Sequence, residues 1–171
     1  RAIGPGSYNY NIGIHFNDKE TEAQISREEE IRRVLTRIAE SDGYGELYLQ
    51  YQPIYDLKSG KITEFEALAR MKTEKLGFVL PLEFIHIAEK TKLIVPVGYK
   101  IIRLALGFLK RLKESGYDDI NIPVNISAIQ LLKPDFPANL LRIIDEMQVD
   151  PANIGIELTE SIFASDFDEI N

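Results

Sequence analysis

The stretch Ile62-Thr-Glu-Phe-Glu-Ala-Leu-Ala-Arg70 decides how the chain is read, because it sets two carboxylates and a guanidinium inside a segment with the apolar content of a strand. Successive side chains of a strand point to opposite faces. Ile62, Glu64, Glu66, Leu68 and Arg70 therefore share one face, and Thr63, Phe65, Ala67 and Ala69 share the other. Such a strand is either an edge with its charges in water or the wall of a site that uses them.

Working outward, Leu47 to Ile54 also alternates, and Asp56-Leu-Lys-Ser-Gly60 has the composition of a turn, so the two strands are expected to form an antiparallel hairpin. Beyond Arg70 a polar loop is expected as far as Pro81, which suits the first position of a helix carrying Phe84, Ile85 and Ala88. A longer helix is predicted from about Val97, with Ile101, Leu104, Ala105, Phe108 and Leu112 inward and a stop at Ser115-Gly116. In Ile120 to Ile126 the isoleucines and Val124 alternate with Asn121, Pro123 and Asn125, which puts Asn125 near a strand end. A helical stretch from Ala128 breaks at Pro134 and resumes from Pro137 to Gln148, with Leu140, Leu141, Ile144 and Met147 on the expected buried side. Ile154 to Thr159 alternates again, with Glu157 near its end. At the N-terminus a short strand is expected around Tyr10 to Phe16, then a helix from Lys19 to Glu40 whose Ile31, Val34, Leu35 and Ile38 repeat at helical spacing, closed by Ser41-Asp-Gly43.

Strand, polar residue at the strand's C-terminal end, then helix is the recurring unit, and strands separated by amphipathic helices point to a parallel sheet. In a barrel of such units the site is built from residues at the strand tips. Glu66, Asn125 and Glu157 hold equivalent places in three strands. Two carboxylates and an amide carbonyl are hard oxygen donors that suit Mg2+ or Mn2+ better than zinc. A divalent cation would also compensate carboxylates whose unpaired burial costs several kcal/mol. Arg70, four residues beyond Glu66 on the same face, could hold an anionic substrate oxygen. Three polar strand ends could equally form a hydrogen-bonded structural network.

Composition narrows the classes. A chain of 171 residues with 44% hydrophobic and 27% charged content supports one principal core. The net charge of −7 argues against a general nucleic-acid or anionic-membrane surface. Cysteine is absent, so thiolate chemistry and disulfides are excluded, in keeping with a reducing cytoplasm. The most apolar stretch, Leu93 to Leu109, carries Pro96, Lys100 and Arg103 and falls short of a membrane span. The chain opens on Arg1 and gives no helix stop near Asn171, which reads as a piece of a longer polypeptide.

Glu66-Ala-Leu68, set among Tyr51-Gln-Pro-Ile54, Pro81-Leu-Glu-Phe-Ile85, Leu93-Ile-Val-Pro96, Val124-Asn-Ile-Ser127 and Glu157-Leu-Thr-Glu-Ser161, resembles the EAL family of cyclic di-GMP phosphodiesterases. The resemblance spans residues 47–161 with the motifs in order. It implies an α/β fold, a modified TIM (β/α)8 barrel whose first strand is antiparallel, with only about the first half present here. It implies Mg2+- or Mn2+-dependent hydrolysis of cyclic di-GMP to linear pGpG. By position, Glu66, Asn125 and Glu157 look like metal ligands, and Gln52, Arg70 and Pro81 look like substrate contacts. The family's Asp-Asp strand end, its lysine and its downstream glutamate are expected beyond Asn171, so this piece alone should be inactive. Residues 1–41 resemble the tail and connecting helix that follow a GGDEF domain, and 42–171 the N-terminal part of the EAL domain. An upstream GGDEF or sensory domain is thus a possible neighbour, and a dimer a possible assembly.

Met71, Lys72, Thr73 and Glu74 replace the tryptophan and His-Pro pair that usually follow the family's arginine, which puts the guanine-facing pocket in question. The competing function is a catalytically inactive EAL-type receptor or protein-interaction module. His86 reads as a structural or surface residue, Asp118-Asp119 as a turn, and Glu160 as either a residue at a helix start or a member of the site.

Overall fold

A computed structural model of the protein describes residues 18–41 and 43–158. The expected strand around Tyr10 to Phe16, Asp42, Thr159 and the Glu160-Ser161 end of the last motif lie outside them. Helix α1 (Asp18–Glu40) leads into the hairpin β1 (Leu47–Asp56) and β2 (Lys61–Thr73), followed by a three-residue strand β3 (Gly77–Val79) and helices α2 (Pro81–Lys90) and α3 (Ile94–Glu114). Then come β4 (Ile122–Ile126), α4 (Ala128–Leu131), α5 (Phe136–Met147), a 3-10 turn at Pro151–Asn153 and β5 (Ile154–Leu158).

The five strands form one mixed sheet in the order β1-β2-β4-β5, with β3 also paired to β2. The β1–β2 pair is antiparallel, and the β2–β4 and β4–β5 pairs are parallel, as the alternation of strands and helices implies. The hairpin is closed locally. Asp56 accepts from the backbone N–H groups of Lys58 and Ser59 at 3.2 and 2.9 Å, and Gly60 takes a positive φ of 68° that a side chain would resist. Since β2 has neighbours on both sides, it is not an edge, and Glu66 and Arg70 are half-buried rather than free in water.

Two sequence expectations are corrected in α3 and α5. Helix α3 starts at Ile94, three residues before Val97, because Pro96 falls in the first turn, where its missing N–H costs no hydrogen bond. In α5 the buried residues are Phe136, Ile143 and Ile144, while Leu141 is 62% exposed. The loop after Arg70 is also more ordered than its polarity suggests. Met71↔Val79, Lys72↔Phe78 and Thr73↔Gly77 pair across a tight hairpin, in which Thr73 Oγ1 accepts from Leu76 N at 2.9 Å.

The core lies between the sheet and the helices. Ile31, Val34, Leu35 and Ile38 of α1 are fully buried in the same cluster as Phe84, Ala105 and Leu106. Each large aliphatic side chain so buried contributes about 1.5–3 kcal/mol of transfer free energy, enough for α1 to dock on the helical layer. Polar ties fix its position. Arg27 makes a two-pronged contact with Glu83 at 2.5 and 2.9 Å, and Lys100 donates to the carbonyls of Ser41 and Gly43 at 2.5 and 2.8 Å. Among the described residues no helix is long and apolar enough to cross a membrane.

Candidate active site

Asn125 and Glu157 lie one residue before the ends of β4 and β5, whereas Glu66, expected at a strand end, lies in the middle of β2 because that strand runs on through Arg70 to Thr73. Ala67 of β2 pairs with Val124 of β4, which leaves Glu66 and Asn125 together on the opposite face. Asn125 Nδ2 donates to Glu66 Oε1 at 3.2 Å. Glu157 of β5 lies directly opposite Asn125 in the parallel ladder, on that same face, and is exposed. On the other side of β2, Gln52 of β1 lies opposite Glu66. On that face Gln52 is level with Glu66 and Asn125 with Glu157, while Asn125 is level with Leu68 and reaches Glu66 on the diagonal. The hydrogen bond turns the amide so that Asn125 Oδ1 is left as an acceptor beside the Glu66 carboxylate. Carboxylate, amide carbonyl and carboxylate are the oxygen donors a hard divalent cation takes. Among the described residues no three His, Cys, Asp or Glu side chains gather into a metal-binding group.

Arg70, the next polar residue after Glu66 along that face of β2, is oriented by two bonds. Its Nε donates to Gln50 Oε1 at 2.8 Å and its Nη1 donates to the Ala69 carbonyl at 2.9 Å. Arg70, Pro81 and Asn125 line one cleft of about 220 Å³, together with Leu68, Ile85, Ile94, Ser127 and Gln130. Gln52 and Glu66 are not in its lining, and Glu157 instead borders a depression of about 260 Å³ with Glu64 and Pro123. Of the six residues singled out in the sequence, Gln52, Glu66, Asn125 and Glu157 share one face of the sheet and two, Arg70 and Pro81, join Asn125 around the cleft.

The replaced residues after Arg70 mostly avoid the cleft. Met71 is 1% exposed and faces the helices, Thr73 is buried in its turn, and Lys72 sits with Nζ 4.9 Å from the centre of the Phe78 ring. His86 and the turn at Asp118-Asp119 are exposed, as their composition suggests.

Sequence reading missed the buried polar cluster beneath the site. Ser127 Oγ donates to Glu89 Oε1 at 2.8 Å and accepts from Ile129 N at 3.3 Å, while Gln130 Oε1 accepts from Ser127 N at 3.2 Å. The Ser127–Gln130 pair is a capping box on α4, legible as Ser-x-x-Gln directly after the Asn125 strand. It turns the chain sharply at the end of β4, and Glu89 anchors that turn to α2. Glu89 carries no such signal, since an acidic residue beside Lys90 reads as solvated.

Comparison with known proteins points to one family. The EAL domain family matches residues 32–171. The cyclic di-GMP phosphodiesterase PA2567 of Pseudomonas aeruginosa is 33% identical over 138 residues, which are 78% of this chain and 23% of that protein. The bifunctional diguanylate cyclase/cyclic di-GMP phosphodiesterase MucR of the same organism is 31% identical over 123 residues, 72% of this chain and 18% of that protein. The solved MucR phosphodiesterase in complex with c-di-GMP superposes with a TM-score of 0.68 at 29% identity, covering 82% of this chain and 54% of the other. The chain thus spans less than a quarter of the length of these curated relatives, and about half of the solved phosphodiesterase. By its motifs and these matches, the chain belongs to the EAL domain family.

Proposed function

We propose that this chain is the N-terminal part of a modified TIM barrel that hydrolyses cyclic di-GMP to linear pGpG with Mg2+ or Mn2+. The observation that carries the reading is the gathering of Glu66, Asn125 and Glu157 on one face of three adjacent strands, with Asn125 bonded to Glu66 and Arg70 on the same face. The three donors would hold the cation, Arg70 would bind a non-bridging phosphate oxygen, and Pro81 and Gln52 would flank the dinucleotide. A divalent cation in such a site supplies positive charge to the phosphoryl oxygens and lowers the pKa of water. The bond made joins the water oxygen to phosphorus, and the bond broken joins that phosphorus to a ribose oxygen, which leaves with a proton. Arg70 keeps the phosphate in place throughout, and Asn125 holds the Glu66 carboxylate in orientation. MucR, a relative that pairs this activity with a diguanylate cyclase, supports an upstream GGDEF partner for the segment 1–41.

The test is an assay of the full-length protein with cyclic di-GMP and each cation, reading linear product by chromatography. Cation-dependent pGpG supports the proposal. Tight binding of cyclic di-GMP without product would identify a receptor instead.

A further inference from the structure

We infer that Gln50 is a positioning residue for Arg70, fixing the guanidinium that receives the substrate phosphate; this rests on the role proposed above for Arg70. Tyr48 lies opposite Arg70 and Gln50 opposite Leu68 in the β1–β2 ladder, so Gln50 is the diagonal neighbour of Arg70 on the site face. At that spacing only long side chains meet. They do, with Arg70 Nε donating to Gln50 Oε1 at 2.8 Å. The second tether, from Nη1 to the Ala69 carbonyl, comes from the arginine's own strand. Together they occupy the Nε edge and one Nη1 proton, and the remaining N–H groups stay available for a two-pronged contact with phosphate.

The chemistry of the tether matters as much as its place. A neutral amide orients the guanidinium without cancelling its charge, whereas a carboxylate at position 50 would pair with it and compete with the substrate. Lys72, the next cation on that face of β2, sits over the Phe78 ring and does not substitute for it. Gln50 is itself exposed and outside the core, so its replacement leaves folding intact.

A double-mutant cycle on the full-length protein with cyclic di-GMP and Mg2+ tests this. Gln50→Ala is expected to raise KM about fivefold with kcat within about twofold, the size expected for losing one hydrogen bond to an exposed charged group. Gln50→Glu is expected to raise KM as well, through charge cancellation, and more at low salt than at high. In an Arg70→Ala background, Gln50→Ala should change KM by less than about twofold, because the tethered group is gone. An unchanged KM in Gln50→Ala, or the same rise in both backgrounds, overturns the inference and leaves the function standing. The same cycle run on Kd reads the tether in a protein that binds without turnover. A wild-type protein that neither binds nor hydrolyses cyclic di-GMP overturns the function and the inference together.

Discussion

Asn125 of β4 donates its side-chain amide to Glu66 of β2 at 3.2 Å, so the end of β4 is tied to the middle of the neighbouring strand by groups that would share one cation. The tie makes a prediction for Asn125. Asn125→Ala removes both a donor to Glu66 and an oxygen ligand, and the cation concentration for half-maximal activity should rise about tenfold or more. Asn125→Asp keeps an oxygen and should need less additional cation than the alanine variant. A Mg2+ titration of the initial rate checks both, and an unshifted midpoint for Asn125→Ala would remove it from the cation site.

A second relationship holds the floor of the site. Gly98 of α3 lies against the Gln130 side chain so closely that an added Cβ would collide with its Nε2 and Cδ. Gln130 is only 2% exposed and its Oε1 is engaged by Ser127 N, so it cannot swing away without breaking the α4 capping box. Gly98→Ala should therefore destabilise the fold by about 1–3 kcal/mol in urea unfolding. With Gln130→Ala already present, the same change should cost less than about 0.5 kcal/mol. Equal costs in both backgrounds would show that the collision is relieved elsewhere.

Tyr51 gives a prediction at alkaline pH. Its ring stacks on Phe108 with centroids 3.7 Å apart, and its hydroxyl donates to the Leu104 carbonyl at 3.1 Å. Burial pushes its phenol up from 10.0 to about 12, against a small opposing effect of Arg111. The unfolded chain therefore releases this proton at a lower pH than the folded protein does. Folding stability from Tyr51 is fully present below pH 10 and is lost as pH rises from about 10 to about 12. Tyr51→Phe should flatten that part of the stability-versus-pH curve. A curve of unchanged slope would mean that the phenol is solvated in the folded state.

Much of this site could be read in the chain because strand alternation is a strong local signal. Asn125 and Glu157 break an apolar pattern near a strand end, Glu66 breaks one in mid-strand, and the Asp56 to Gly60 turn fixes the hairpin that brings β1 alongside. What sequence reading misplaced depends on neighbours. In α5, the set Leu140, Leu141, Ile144, Met147 and the observed buried set around Phe136, Ile143 and Ile144 both fit a helical period, and only packing decides between them. The three residues of β3 are too few for a pattern of their own, and they pair only because β2 runs past Arg70 to Thr73. Glu89 and Gln50 were invisible for the same reason. Each is an ordinary polar residue until its partner, Ser127 or Arg70, is brought to it by the fold.

The most direct measurement is turnover of cyclic di-GMP by the full-length protein in Mg2+, comparing wild type with Glu66→Ala and Glu157→Ala. Each variant loses a cation ligand, so kcat should fall by about a hundredfold or more while the fold, read by thermal unfolding, is retained. Chelation of the cation should stop the wild-type reaction. Undiminished turnover in both variants, or turnover that survives chelation, would contradict the assignment of Glu66, Asn125 and Glu157 to a cation-dependent phosphodiesterase site.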